Sequence, residues 1–196
     1  MDDFLFYTQQ GFTHVLDKNA LDHILFFIAL VVVFSFKDWK KALWLITFFT
    51  LGHSVTFGLS SYGYIDLNVD LIEFIIPITI LIPLIYNSYY AYKKSDKKKN
   101  NRNIYFSFFF GLFHGLGFSS YFRILDVDNK LVPLMTFSLG IELAQIVVVL
   151  ATLTLGYILQ SLVFKNIKNI KNVWTLGVSG IVFVIIIPML VSRWPF

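Results

Sequence analysis

The stretch ALWLITFFTLGHSVTFGLS (42–60) decides the fold. It carries no Asp, Glu, Lys or Arg, and a helix needs about 20 mostly apolar residues to cross a hydrocarbon core. Yet it holds His53 and, beside it, Ser54. An ionisable ring is costly in lipid, so it should face a bundle interior or a cavity. One segment therefore poses both the structural and the functional question.

The rest of the chain has the same character. Of 196 residues 57% are hydrophobic and only 14% charged, with a mean hydropathy of +0.70. Soluble domains carry about 25% charged residues. Six apolar segments read as membrane spans, at about 20–36, 42–60, 71–92, 103–124, 133–163 and 173–191. The expected fold is all-α, a polytopic helix bundle forming a single transmembrane domain over 1–196. A β-barrel would show shorter alternating segments. With no cysteine, disulfides and thiolate metal ligands are excluded.

Charge sets the expected topology. Twelve of the sixteen Lys and Arg residues lie in KDWKK (37–41), KKSDKKKNNR (93–102) and KNIKNIKN (165–172). The intervening SYGYIDLNVD (61–70) and LDVDNKLV (125–132) hold only Lys130, and Arg123 lies at the edge of the second. The positive-inside rule assigns the three basic loops to the cytoplasm and both termini to the outside, in a cell (inner) membrane. The start, MDDFLFYTQQGFTHVLDKNA, is acidic and lacks a small-residue cleavage site, so it does not read as a signal peptide. Residues 1–19 read instead as an interfacial outer segment. The bilayer and a metal ion are the expected partners. No nucleic-acid role is expected of the basic loops, and homo-oligomerisation is left open.

The chain has four histidines, His14, His23, His53 and His114, and three acids in or beside spans, Asp22, Glu73 and Glu142. Counting along the expected spans at 1.5 Å per residue puts His53 about 10 Å, and His114 and Glu142 about 15 Å, from the outer ends. Asp22, His23 and Glu73 lie near such ends. A lone histidine in a span is usually a hydrogen-bonded packing residue. Several at one level call for a common purpose.

Imidazole and carboxylate together suit a divalent transition metal where thiolates are lacking. The candidate ligands are His23, His53, His114, Asp22, Glu142, Glu73 and His14, with Asp22 alternatively orienting a histidine. Glu142 and Gln145 share a helical face. Gly111 and Gly115 flank His114 at a spacing that lets helices approach closely, and Gly52 beside His53 offers the same. The run FSFFFGLF reads as lipid-facing. TFFTLGHS (47–54) is echoed by TFSLGIE (136–142), as in inverted repeats, although chance similarity among apolar segments explains it more readily.

At GFTHVLDKNALDHILFF (11–27), FTLGHSVTF (49–57), LIEFIIPITIL (71–81), FGLFHGLGF (110–118) and LGIELAQ (139–145) the chain resembles the HupE/UreJ family. That resemblance implies six to eight spans and, for some members, nickel permeation linked to hydrogenase or urease systems. LGHSVT is also similar to a motif of nickel/cobalt transporters, whose first signature His14 and Asp22-His23 resemble. Seven residues separate His14 from Asp22 here, more than in those relatives, and a later-helix motif of two histidines and a glutamate is reduced to His114-Gly115.

The expected function is a nickel/cobalt-type divalent metal permease with an intramembrane His/carboxylate site near the outer face, Ni²⁺ or Co²⁺ being cargo. The alternative is a membrane-embedded zinc-dependent hydrolase of a lipid or small amide. Zn²⁺ would activate water, with Glu73 or Glu142 as base and Ser54 stabilising an oxyanion.

Overall fold

The computed structural model describes residues 2–18, 21–65, 67–94, 102–117 and 130–195. The basic residues Lys97, Lys98 and Lys99, Arg123, the end of the expected 103–124 span and most of 125–132 lie outside these. Among the described residues the chain is all-helical. The helices are α1 (Asp2–Val15), α2 (Asp22–Val31), α3 (Trp39–Ser61), α4 (Val69–Tyr92), α5 (Arg102–Gly117), α6 (Leu131–Ile158) and α7 (Ile170–Ser192). A 3₁₀ turn, Phe36–Asp38, leads into α3, and a π turn, Leu159–Val163, ends α6.

Four helices are long and apolar enough to cross a membrane: α3 with its 3₁₀ turn, α4, α6 with its π turn, and α7. Of the other two expected spans, one comes out shorter and one is described only in part. α2 has 10 residues, about 15 Å of helix at 1.5 Å per residue. It ends at Val31. Ser35 then opens a capping box with Asp38, which bonds Lys41 at 3.0 Å. The described part of α5 has 16 residues. The N-terminal segment is a helix, and α1 packs along α6.

Side-chain pairs fix the directions. Ser107 bonds the Leu45 carbonyl and Thr56 the Leu112 carbonyl, so α5 lies parallel to α3. Thr47 meets Glu142 and Ser54 meets Ser138, so α6 runs antiparallel to α3. Asn87 donates to the Ala29 carbonyl, joining the last turns of α4 and α2. Phe74 near the start of α4 meets Trp194 just past the end of α7. One end of the bundle therefore gathers the described lysines of the three basic loops.

The main core forms between α2, α3, α4 and α6 from Phe26, Phe27, Leu30, Ile46, Phe49, Ile80 and Val149, all nearly or fully buried. Outward faces of α6 and α7 expose Val147 at 51%, Ile181 at 64% and Val184 at 69%. An apolar surface of that extent belongs in lipid rather than water. The expected lipid face of α5 is divided: Phe108 and Phe109 are exposed, while Phe110 is buried in the core.

Candidate metal centre

His53 sits in α3 between Phe49 and Phe57 on one face of the helix and is fully buried. What reaches it depends on glycines. A side chain at Gly111 would run into the Phe49 carbonyl, one at Gly115 into the His53 carbonyl, and one at Gly52 into the Phe108 carbonyl. α5 therefore lies backbone to backbone on α3. This seats His114, also buried, beside the first histidine's helix. A second crossing of the same kind joins α1 to α6, where Gly11 meets the Phe137 carbonyl and Gly140 the Thr8 carbonyl. That crossing brings in His14. His23, the second residue of α2, is the hub. Its ring centroid lies 4.9 Å from His14, 5.8 Å from His53 and 5.1 Å from His114.

All four sequence candidates among the histidines thus converge, His14 included. One ligand atom each from His14, His23 and His53 lie within 4.8 Å of one another. His53 is eight residues from the end of α3 and Thr79, which touches His114, is ten residues into α4. That is about 12–15 Å from the end of the bundle opposite the basic loops.

The donor chemistry fits a cation. Among the described residues His23 Nε2, both ring nitrogens of His53 and His114 Nδ1 are buried and have no hydrogen-bond partner. A buried polar atom without a partner costs about 1–3 kcal/mol, so several in one place call for a ligand. Thr79 explains which nitrogen His114 presents. Its hydroxyl donates to the Ile76 carbonyl at 2.6 Å, so its oxygen accepts at 3.1 Å from His114 Nε2–H. The lone pair is left on Nδ1, the tautomer being inferred from this network. Phe26, Phe49, Phe57 and Phe137 wall the imidazoles with apolar surface.

The carboxylates are arranged differently from the histidines. Asp22 is buried beside His23, but its two oxygens take three hydrogen bonds from Arg193 at 3.0–3.1 Å. Glu142 is half-buried and accepts from Thr47 at 2.7 Å. Glu73 is exposed on α4. Among the described residues no acid joins the three-histidine group. Ser54 bonds Ser138 at 2.8 Å and the Thr50 carbonyl at 2.7 Å. Gln145 accepts from Thr50 at 3.1 Å.

Several of these residues go unnoticed in the sequence. Arg193 sits outside every basic loop, 171 positions from its partner. Thr79 is one hydroxyl among isoleucines. Gly11 and Gly140 lie at spacings that only the packed helices make meaningful.

Among curated proteins and among solved structures, no significant match was found. The family model described as "HupE / UreJ protein" matches residues 1–192, a range that contains all four histidines and every helix from α1 to α7, and the chain belongs to that family.

Proposed function

We propose that the protein is a nickel/cobalt-type divalent metal permease of the cell membrane, its whole chain, 1–196, one transmembrane domain. In this reading α2, α3, α4, α5, α6 and α7 make six passes, both termini face outward and the histidines lie nearer the outer side. The ion sheds water and is taken by His23 and His53, with His14 and His114 completing the set. The observation that carries this reading is the group of buried imidazole nitrogens on His23, His53 and His114 that no atom of the described residues satisfies. Imidazole ligands without thiolate suit an ion that must leave again.

A polar seam supports passage over retention. Ser54 with Ser138, Thr50 with Gln145, and Thr47 with Glu142 follow one another along the α3–α6 contact. Seven residues of helix separate Ser54 from Thr47, about 10 Å toward the basic end. Thr50 is three residues from His53, within reach on the helix surface. Glu142 thus serves passage of the ion in this reading rather than joining the histidines as a ligand. Glu73 is left without a role and Asp22 acts through Arg193.

The hydrolase reading has weaker support. Its oxyanion donor, Ser54, already directs its hydroxyl at neighbours, and its candidate bases Glu73 and Glu142 lie outside the donor group.

The test is uptake of radioactive Ni²⁺ and Co²⁺ into liposomes holding the purified protein. Wild type should accumulate one or both, and His53→Ala should abolish uptake while still inserting. A wild type that moves neither ion, yet holds a tightly bound metal that His53→Ala removes, would transfer the case to the enzyme.

A further inference from the structure

Two helix crossings in the bundle obey one rule. In the first, Gly11 of α1 faces the carbonyl of Phe137 and the amide of Ile141, and Gly140 of α6 faces the carbonyl of Thr8 and the amide of Phe12. In the second, Gly111 of α5 faces the carbonyl of Phe49 and the amide of His53, and Gly52 of α3 faces the carbonyl of Phe108 and the amide of Leu112. In all four cases the atoms met belong to the residues three before and one after the partner glycine. Two unrelated crossings of small residues would have no reason to share register to the residue on both helices.

The side chains follow the same rule. Gly11 and Gly111 each precede a histidine by three, in GFTH (11–14) and GLFH (111–114). Gly52 and Gly140 each close a similar tetrapeptide, FTLG (49–52) and FSLG (137–140). His14 packs on Phe137 with centroids 5.8 Å apart, and His114 packs on Phe49 at 5.1 Å. Both histidines meet His23 edge to face, at 4.9 Å and 71° for His14 and at 5.1 Å and 79° for His114. α3 and α6 run antiparallel, which is the relation expected of inverted repeats.

We infer that the bundle is an internal duplication and that the histidine cluster is a duplicated cation site, in which His14 and His114 are equivalent ligands on opposite sides of His23 and Ile141 occupies the place that corresponds to His53. This rests on the metal-binding reading above and adds how the ligands are shared. Each half of the chain lends its Gly-x-x-His helix to the Leu-Gly helix of the other half. The halves have diverged at two ligand positions: His53 follows Gly52, whereas a fully buried isoleucine follows Gly140, and no second histidine repeats His23. Ile141 is thus a latent ligand position for a divalent ion.

The experiment measures Ni²⁺ affinity of the purified full-length protein by calorimetry. His14→Ala and His114→Ala should weaken binding by similar factors, each about tenfold or more, since even outer-shell changes cost about 10–100-fold. His53→Ala should also lose binding, and adding Ile141→His to it should restore at least part. If His114→Ala binds like wild type while His14→Ala does not, the site is a single three-histidine group and the duplicated site is refuted. Failure of the double variant to recover binding, when it elutes as folded protein, refutes the latent position. Should that variant not fold, the comparison of His14→Ala with His114→Ala decides alone. If wild type itself binds no Ni²⁺ or Co²⁺, the metal reading falls and the duplicated site with it. A failure confined to the variants removes only the duplication.

Discussion

Arg193, one residue beyond the end of α7, clamps Asp22 at the start of α2, with Nη1 3.0 Å from Oδ1 and Nη2 3.1 Å from Oδ2. The two lie 171 positions apart, and their side chains are 21% and 10% exposed. Planar guanidinium and carboxylate match as a fork, which fixes orientation as well as charge. The clamp joins the last helix to the residue beside His23 and leaves Asp22 with its charge compensated.

Arg193→Ala should destabilise the protein by about 3–5 kcal/mol, the cost of leaving one member of a buried ion pair alone. Asp22→Asn should cost less, because it keeps an acceptor and removes the carboxylate charge. Unfolding midpoints in detergent would compare them. Equal midpoints for Arg193→Ala and wild type would mean that the pair contributes nothing and that Asp22 is available for another partner.

Thr79 is expected to act through His114. Thr79→Val keeps the shape but loses the oxygen that accepts from Nε2–H, so Ni²⁺ affinity should fall about tenfold or more, as for partners that orient metal-ligating histidines. Thr79→Ser should retain it. In the metal-free protein, ¹⁵N spectra of His114 should report the Nε2–H tautomer in wild type and a mixture in Thr79→Val. Unchanged spectra would remove Thr79 from the account.

How much of this was legible in the sequence depends on the range of the interactions involved. Long apolar runs specify membrane helices through composition alone, so α3, α4, α6 and α7 could be read directly. α2 could not be bounded, since a helix that ends inside a continuous apolar run leaves no mark in composition. The histidines were visible as rare polar residues, three of them in the outer halves of expected spans, and similar depth favours proximity when helices pack side by side. The partners of the carboxylates could not be read, because depth says nothing about direction around a helix axis. Asp22 turns to Arg193, Glu142 to Thr47, and Glu73 to the exposed face. The place of His14 could not be read from the sequence, because the docking of α1 depends on Gly11 and Gly140, two glycines in different helices far apart in sequence.

The six-pass topology predicts that a reporter fused after Phe196 lies outside the cell. Twelve of sixteen basic residues in alternating loops bias those loops inward, and the described members of that set share one end of the bundle. Activity of a cytoplasm-specific reporter at the C-terminus would contradict the topology.

Acid should silence the site. A protonated imidazole has no lone pair for a metal, so protons compete with Ni²⁺ for every histidine. Binding and uptake are therefore expected at neutral pH and lost only below the ordinary imidazole range of about 6.5, because burial disfavours the charged ring, as for His14. Uptake driven by a fixed Ni²⁺ gradient, measured at pH values on both sides of that range, would show this. Uptake that rises on acidification would indicate that the histidines do not bind the ion directly.

The claim on which the rest depends is that the converging imidazoles hold the metal, and X-ray absorption at the nickel edge of the loaded protein tests it most directly. The account predicts the multiple-scattering signature of several imidazoles around one Ni²⁺, reduced by one ring in His14→Ala and in His114→Ala and lost in His23→Ala. A nickel surrounded only by oxygen, with the same spectrum in wild type and His23→Ala, would contradict it.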